Sequence, residues 1–183
     1  VLHRLMLRLG VTSLRFGPDY YGLGLTLGNG EVRLLEMVNA YAAIARMGAF
    51  QPYRLVACDG AARGKPDRVF SPETAYLIAD MLSDNGARAP GFGLDSELQF
   101  DFPVACKTGT SSDYRDNWTI GFTPEFTVGV WVGRPDGAGM KGVSGVAGAA
   151  PVFHAVMEYL HQTRGTACFR QPDSVRSYWV DSL

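Results

Sequence analysis

Cys106-Lys107-Thr108-Gly109-Thr110-Ser111-Ser112-Asp113-Tyr114-Arg115-Asp116-Asn117-Trp118 gathers cationic and hydroxyl side chains, a bare glycine and two carboxylates between two apolar, strand-like runs. If Phe102 to Thr110 is an edge strand, alternation sends Val104 and Cys106 to one face and Ala105, Lys107 and Gly109 to the other. Lys107 then offers a point positive charge to a ligand carboxylate, and Thr108 and Thr110 offer hydroxyls to the same group or to a reacting centre. Gly109 leaves room for a second backbone. An extended peptide could pair with such a rim as an added strand, with a backbone N–H near Thr110 facing a developing oxyanion.

Outward from this stretch the pattern stays that of a sheet. Trp118, Ile120 and Phe122 alternate on one face, Pro124-Glu125 turns, and Val128, Val130 and Val132 alternate in the next run, so three sequential antiparallel strands are predicted. Upstream, Leu2 to Leu9 has helical spacing and stops at Gly10. Residues 17 to 30 read as a glycine-rich loop in which Tyr20 and Tyr21 pack locally. Leu34, Leu35, Val38, Tyr41, Ala42 and Ala45 mark a core helix within 31–47. Residues 51–58 read as a strand that pairs back with 68–70. Ser71-Pro72-Glu73 starts a second helix, with serine as N-cap and proline at the first helical position. Asn85-Gly86 stops it, and 86–100 is read as loop. A last helix is predicted from Pro151 to Gln162, with Phe153, Val156, Met157 and Leu160 inward.

The run Lys107-Thr108-Gly109-Thr110, Asp113-Tyr114, Asp116, Trp118 and Gly121-Phe122-Thr123-Pro124 resembles the third active-site motif of the penicillin-binding transpeptidases. More narrowly it resembles the class A, bifunctional penicillin-binding proteins, the 1C branch among them. Gly24-Leu25-Thr26-Leu27-Gly28-Asn29-Gly30 and Leu35-Glu36-Met37-Val38-Asn39-Ala40-Tyr41-Ala42-Ala43 extend the likeness upstream. The resemblance implies an α+β fold, α/β in the loose sense: an antiparallel β-sheet packed by helices, part of the β-lactamase-like serine transpeptidase fold. It implies that residues 1–162 are the C-terminal part of a transpeptidase domain and that 163–183 are a linker or the start of a further domain.

The same resemblance assigns Lys107, Thr108, Gly109 and Thr110 to the catalytic motif. It assigns Lys107, Thr108, Thr110 and Ser111 to substrate or antibiotic, and Asp116 and Trp118 to support. The reaction implied is cross-linking of peptidoglycan stem peptides through an acyl-enzyme that β-lactams intercept. No cofactor and no metal are implied. The partners implied are the upstream half of the same domain and a glycosyltransferase domain, at the periplasmic face of the inner membrane and anchored through a segment outside these residues.

One departure shapes the functional reading. The family nucleophile is the serine of Ser-x-x-Lys, and no serine here has lysine three positions on. The chain is therefore read as the back half of a catalytic domain, inactive alone. The alternative is a non-catalytic module of the same fold that holds peptide or muropeptide reversibly. A serine β-lactamase relative ranks below both, for want of a deacylating base.

Other patterns carry less. Ser83-Asp84-Asn85 spells the family's second motif but sits at a helix end, where a capping role is the better reading. Gly137-Ala138-Gly139-Met140-Lys141-Gly142 spells G-x-G-x-x-G without the following acidic residue on a second strand, so it reads as a connector and not a dinucleotide site. His154, Glu158 and His161 lack the H-E-x-x-H pattern and read as a solvated helix face. Cys58, Cys106 and Cys168 have neither zinc spacing nor an even count, so at most one bridge could form. With 46% hydrophobic residues and net charge −1 in 183 residues, the chain can bury a core and is no basic nucleic-acid binder.

Overall fold

The site strand and its two neighbours set the architecture. A computed structural model describes residues 1–56 and 64–178. Its main sheet joins β3 (Ala105–Thr110), β4 (Asp116–Phe122) and β5 (Thr127–Gly133) in the order β3-β4-β5. Both pairings are antiparallel. Lys107 lies opposite Ile120, Gly109 opposite Trp118, and Trp118 opposite Trp131.

Alternation divides the sheet as the sequence predicts. Val104, Cys106 and Val128 join the core of one face with Leu98, Phe100, Phe153 and Met157, the last two from α6 (Gly145–Gln162). Ala105 and Phe122 join the other face's core with Ala79, Tyr41 and Leu82, which come from α3 (Leu34–Ala45) and α4 (Pro72–Ser83). Phe122 and Phe153 are wholly buried. Each contributes on the order of 2–3 kcal/mol of burial. Helices on both faces of an antiparallel sheet make the fold α+β.

A smaller cluster forms at the chain's start. Leu9, Val11, Leu14 and Tyr21 pack on Ala40 and Ala43 of α3, next to α1 (Leu2–Arg8). The predicted 17–30 loop holds a short helix, α2 (Pro18–Tyr21), and a 3-10 turn over Gly22–Leu27. Tyr21 is buried and Tyr20 sits edge-on to it at 5.1 Å, so this aromatic pair packs locally.

Several expectations need correction. The small hairpin is β1 (Ala49–Phe50) with β2 (Asp67–Arg68), not 51–58 with 68–70. Pro52 has no N–H to give a ladder, and residues 57 and 58 lie outside the described residues. In place of the predicted loop after Asn85, α5 runs over Asn85–Phe92, with the Asp84 carboxylate accepting from the Ala87 N–H at 3.0 Å. Asp84 thus ends α4 and caps α5. The last helix starts at Gly145, not Pro151, and Ser144 accepts the Ala147 N–H at 3.3 Å as its N-cap.

The fourth correction concerns His161, which is buried and not solvated. Thr123 Oγ1 already accepts N–H groups from Glu125 and Phe126, so its own proton goes to His161 Nε2 at 3.1 Å. The other ring nitrogen then donates to the Gly165 carbonyl at 2.6 Å. Along α3 and α6, Leu34, Leu35 and Val156, read as inward, are exposed, so these helices bury narrower stripes than their apolar content suggests.

Beyond α6 the chain turns back along α4. Phe169 packs edge-on to Phe122 at 5.6 Å, Tyr76 donates to Gln171 at 3.4 Å, and Ser174 donates to Glu73 at 2.8 Å.

Candidate functional site

β3 lies at the sheet's edge and, among the described residues, pairs only with β4. Its first half is held from inside. Arg88 of α5 donates to the Cys106 thiol at 3.2 Å and to the Leu98 carbonyl at 3.1 Å, and also to the Leu82 carbonyl and the Asn85 side chain. Burial pushes the Cys106 thiol up, against the opposing pull of Arg88 and Lys107, so this cysteine is a packing residue and not a nucleophile. Cys106 and Cys168 are both free, and Cys58 lies outside the described residues.

The second half of β3 is open. Lys107, Gly109 and Thr110 are exposed, and Thr108 is half-buried. Lys107 Nζ donates to the Thr108 carbonyl at 2.7 Å, which folds the ammonium back over its own strand. Among the described residues, surface cavities of about 440 and 270 Å³ lie away from this rim. The larger lies between Asp80–Asn85 and Phe100–Pro103, and the smaller between α3 and the β4–β5 turn. Lys107 therefore stands on an open edge with one wall.

Gly109 separates packing from function. A Cβ there would meet only the Trp118 Cβ, at 3.6 Å, an ordinary contact. The chain's own fold does not require this glycine. Gly109→Ala is accordingly expected to change folding stability by less than about 0.5 kcal/mol. A urea midpoint lowered by much more would assign the bare position to internal packing.

Past Thr110 the chain closes a hairpin around Asp116. Ser111 Oγ donates to one carboxylate oxygen at 3.0 Å and accepts the Asp116 N–H at 2.9 Å. The other oxygen accepts the Trp131 indole N–H at 2.9 Å. Asp116 thus clasps three strands at their open end, a support role, and the Ser111 hydroxyl is spent on that clasp. Trp118 lies on the same face as Lys107, two pairs along the ladder and opposite Gly109. In the turn itself Asp113 and Tyr114 both adopt left-handed backbone, at φ 59° and 56°. The Tyr114 carbonyl accepts the Met140 N–H at 3.2 Å, tying the β5–α6 connector to this loop.

Two residues that sequence reasoning passed over join the site from behind. Arg88 buttresses the start of β3, and Gly145 meets its end: the Gly145 N–H donates to Thr110 Oγ1 at 2.9 Å. Neither belongs to a recognisable motif. The available signal was the small-residue run 145–150, which marks close approach of a helix. Among the described residues no three His, Cys, Asp or Glu side chains are grouped to hold a metal.

The family profile described as penicillin binding protein transpeptidase domain matches residues 21–158. The chain belongs to this family. Penicillin-binding protein 1C of Escherichia coli strain K12 is 37% identical over 138 residues, covering 75% of this chain and 17% of that protein. The chain thus spans well under two thirds of that relative's length. PonA1 from Mycobacterium tuberculosis shares the fold with a TM-score of 0.71 at 20% identity, over 97% of this chain and 55% of that one. A structure of PonA1 in complex with penicillin V gives a TM-score of 0.62 at 23% identity, over 93% of this chain and 51% of that one. The antiparallel sheet with helices on both faces is accordingly the penicillin-binding transpeptidase fold, and Lys107–Thr110 falls within the matched residues.

Proposed function

We propose that this chain is part of a peptidoglycan D,D-transpeptidase, with the Lys107–Thr110 rim holding the terminal carboxylate of a stem peptide or a β-lactam. A serine outside these 183 residues attacks the ligand's carbonyl carbon, and its proton passes to a base also outside the chain. The amide C–N bond breaks, the leaving amine takes a proton, and an ester to the serine remains. The amine of a second stem then attacks the ester and releases the serine. With a β-lactam the C–N bond that opens lies in the ring, so the leaving group stays attached.

The observation that carries this reading is an exposed cation on an unpaired strand edge, two residues before a glycine that internal packing does not need. Lys107, Thr108 and Thr110 are the proposed ligand-binding residues and Gly109 the point of close approach. Asp116 and Trp118 support the rim, and Ser111 acts through Asp116. The enzyme further carries a glycosyltransferase domain and works at the periplasmic face of the inner membrane. Its anchor is part of this proposal and lies outside these residues; no helix among the described residues is long and apolar enough to cross a membrane. Residues 1–162 are the domain's share, and 163–183 are a linker or the start of a further domain, its first part folded back along α4.

The absence of any Ser-x-x-Lys favours a second reading, a non-catalytic peptide or muropeptide holder. Fluorescent penicillin distinguishes the two. The full-length gene product is expected to take a covalent label that survives boiling in detergent, and the 183-residue chain is expected to take none. Reversible, Lys107-dependent binding by the full-length product without acylation would establish the holder. Covalent labelling of the short chain would overturn the assignment of the nucleophile.

A further inference from the structure

We propose that Gly145 is a positioning residue for ligand binding: its backbone seats the first turn of α6 against β3 and β4 and thereby orients the Thr110 hydroxyl toward a ligand carboxylate. This rests on the proposed function above and adds a part that the Lys107–Thr110 motif does not contain.

Both polar backbone groups of Gly145 are used at the sheet. Its N–H donates to Thr110 Oγ1 at 2.9 Å, and its carbonyl accepts the Thr119 hydroxyl at 3.2 Å. Thr110 is on β3 and Thr119 on β4, so one helical residue bridges both strands. Gly145 is buried, and a Cβ there would lie 2.8 Å from the Gly109 carbonyl oxygen and 3.0 Å from that of Trp118. These are backbone atoms of directly opposed residues in a paired ladder, and they cannot swing aside as a side-chain tip can. Any side chain at 145 therefore lifts the helix or displaces the strand.

The bond has a consequence for Thr110. A hydroxyl has one proton and two lone pairs. The Gly145 N–H takes a lone pair and fixes the oxygen, and no described group accepts the proton. Thr110 is exposed, so it presents an O–H donor at the strand edge from the α6 face, while Lys107 projects from the other face of the same edge. The N-terminal end of α6 adds a fixed partial positive charge beside Thr110. Next to Thr110 across the ladder, the Asn117 amide is wholly buried with neither polar atom hydrogen-bonded, a cost carried just where helix meets strand.

The test measures the second-order rate of acylation by fluorescent penicillin, per folded molecule, in the full-length gene product. Gly145→Ala is expected to lower it by about tenfold or more, the scale of a small misplacement of a reacting group. Thr110→Ser, which keeps the hydroxyl, is expected to stay within about threefold. Thr110→Val is expected to lose as much as Gly145→Ala, and the double variant to lose no more than Thr110→Val alone, since both act through one hydroxyl. Met157→Ala, buried farther along the same helix, controls for stability: it lowers the urea midpoint while folded molecules react at the wild-type rate. A wild-type rate in Gly145→Ala, or losses that multiply in the double variant, overturns the proposal. If the wild type takes no penicillin, the proposed function fails first. Amide hydrogen exchange over Lys107–Thr110 then decides the seating: acceleration in Gly145→Ala but not in Met157→Ala upholds it, and unchanged exchange overturns it.

Discussion

In the full-length gene product, Lys107→Ala is expected to lower the second-order rate of acylation by penicillin about 10²–10³-fold, the usual cost of removing one fixed electrostatic donor from an acyl-transfer site. The physical basis is charge at an open edge. A ligand carboxylate arriving at β3 meets one ammonium, the Thr110 O–H and the partial charge of the α6 terminus, and only the ammonium carries a full unit. Folding should be indifferent to the change, because Lys107 is exposed and its one hydrogen bond goes to the neighbouring carbonyl. Lys107→Arg keeps the charge but replaces a compact donor with a planar fork, so it should fall between wild type and alanine. Raising ionic strength should weaken the wild type more than the alanine variant, since an exposed charge is screened. An alanine variant within threefold of wild type would detach the rim from the reaction.

How much of this was legible beforehand depends on what each segment packs against. β3, β4 and β5 could be read because Trp118, Ile120 and Phe122, and then Val128, Val130 and Val132, alternate along the chain and turn residues bound the runs, a period-2 signal the residue types carry even though both faces of β4 are buried. α3 and α4 were legible from their apolar spacing, and α4 also from Ser71, which accepts the Thr74 N–H at 3.2 Å as N-cap. α5 was not. Asn85-Gly86 and Pro90-Gly91 have poor helical propensity, and the helix is secured by Arg88, whose bonds to Leu98 and Cys106 are tertiary and leave no periodic trace.

The start of α6 was hidden for a related reason. Gly145 and Gly148 look like connector residues, yet at position 145 a glycine is what close approach to β3 and β4 demands. Pro151 was mistaken for the first residue of the helix because proline is favoured there, and it lies inside the helix instead. For the site, the sequence named the residues that face outward, Lys107 to Thr110. It could not show that Ser111 turns inward to Asp116, since a serine's partner is set by the hairpin's geometry and not by its neighbours in the chain.

Glu36 carries the second large effect, and it is one of stability. The carboxylate is 5% exposed and sits in the first turn of α3. Four donors reach it: the Thr12 hydroxyl at 2.9 Å, the Ser13 N–H at 3.1 Å, the Ser13 hydroxyl at 2.6 Å and Arg33 at 3.1 Å. Burial by itself would raise the pKa of this group, but the hydrogen bonds from Ser13, Thr12 and Arg33 outweigh it and hold the carboxyl below the usual glutamate value. Glu36→Ala leaves the Ser13 N–H and the Thr12 hydroxyl without their acceptor and frees the 12–13 turn from α3. A loss of about 2–4 kcal/mol at pH 7 is expected. Because the folded-state pKa is depressed, the stabilisation is fully present above the unfolded glutamate pKa and disappears as pH falls through the folded value. The gap between wild type and Glu36→Ala should therefore narrow in acid, and Glu36→Gln, which cannot ionise, should lack this part of the wild type's acid sensitivity. Urea denaturation at neutral pH and again well below pH 4 measures both. A gap that stays constant between the two conditions would mean that Glu36 acts by filling space and not by its charge.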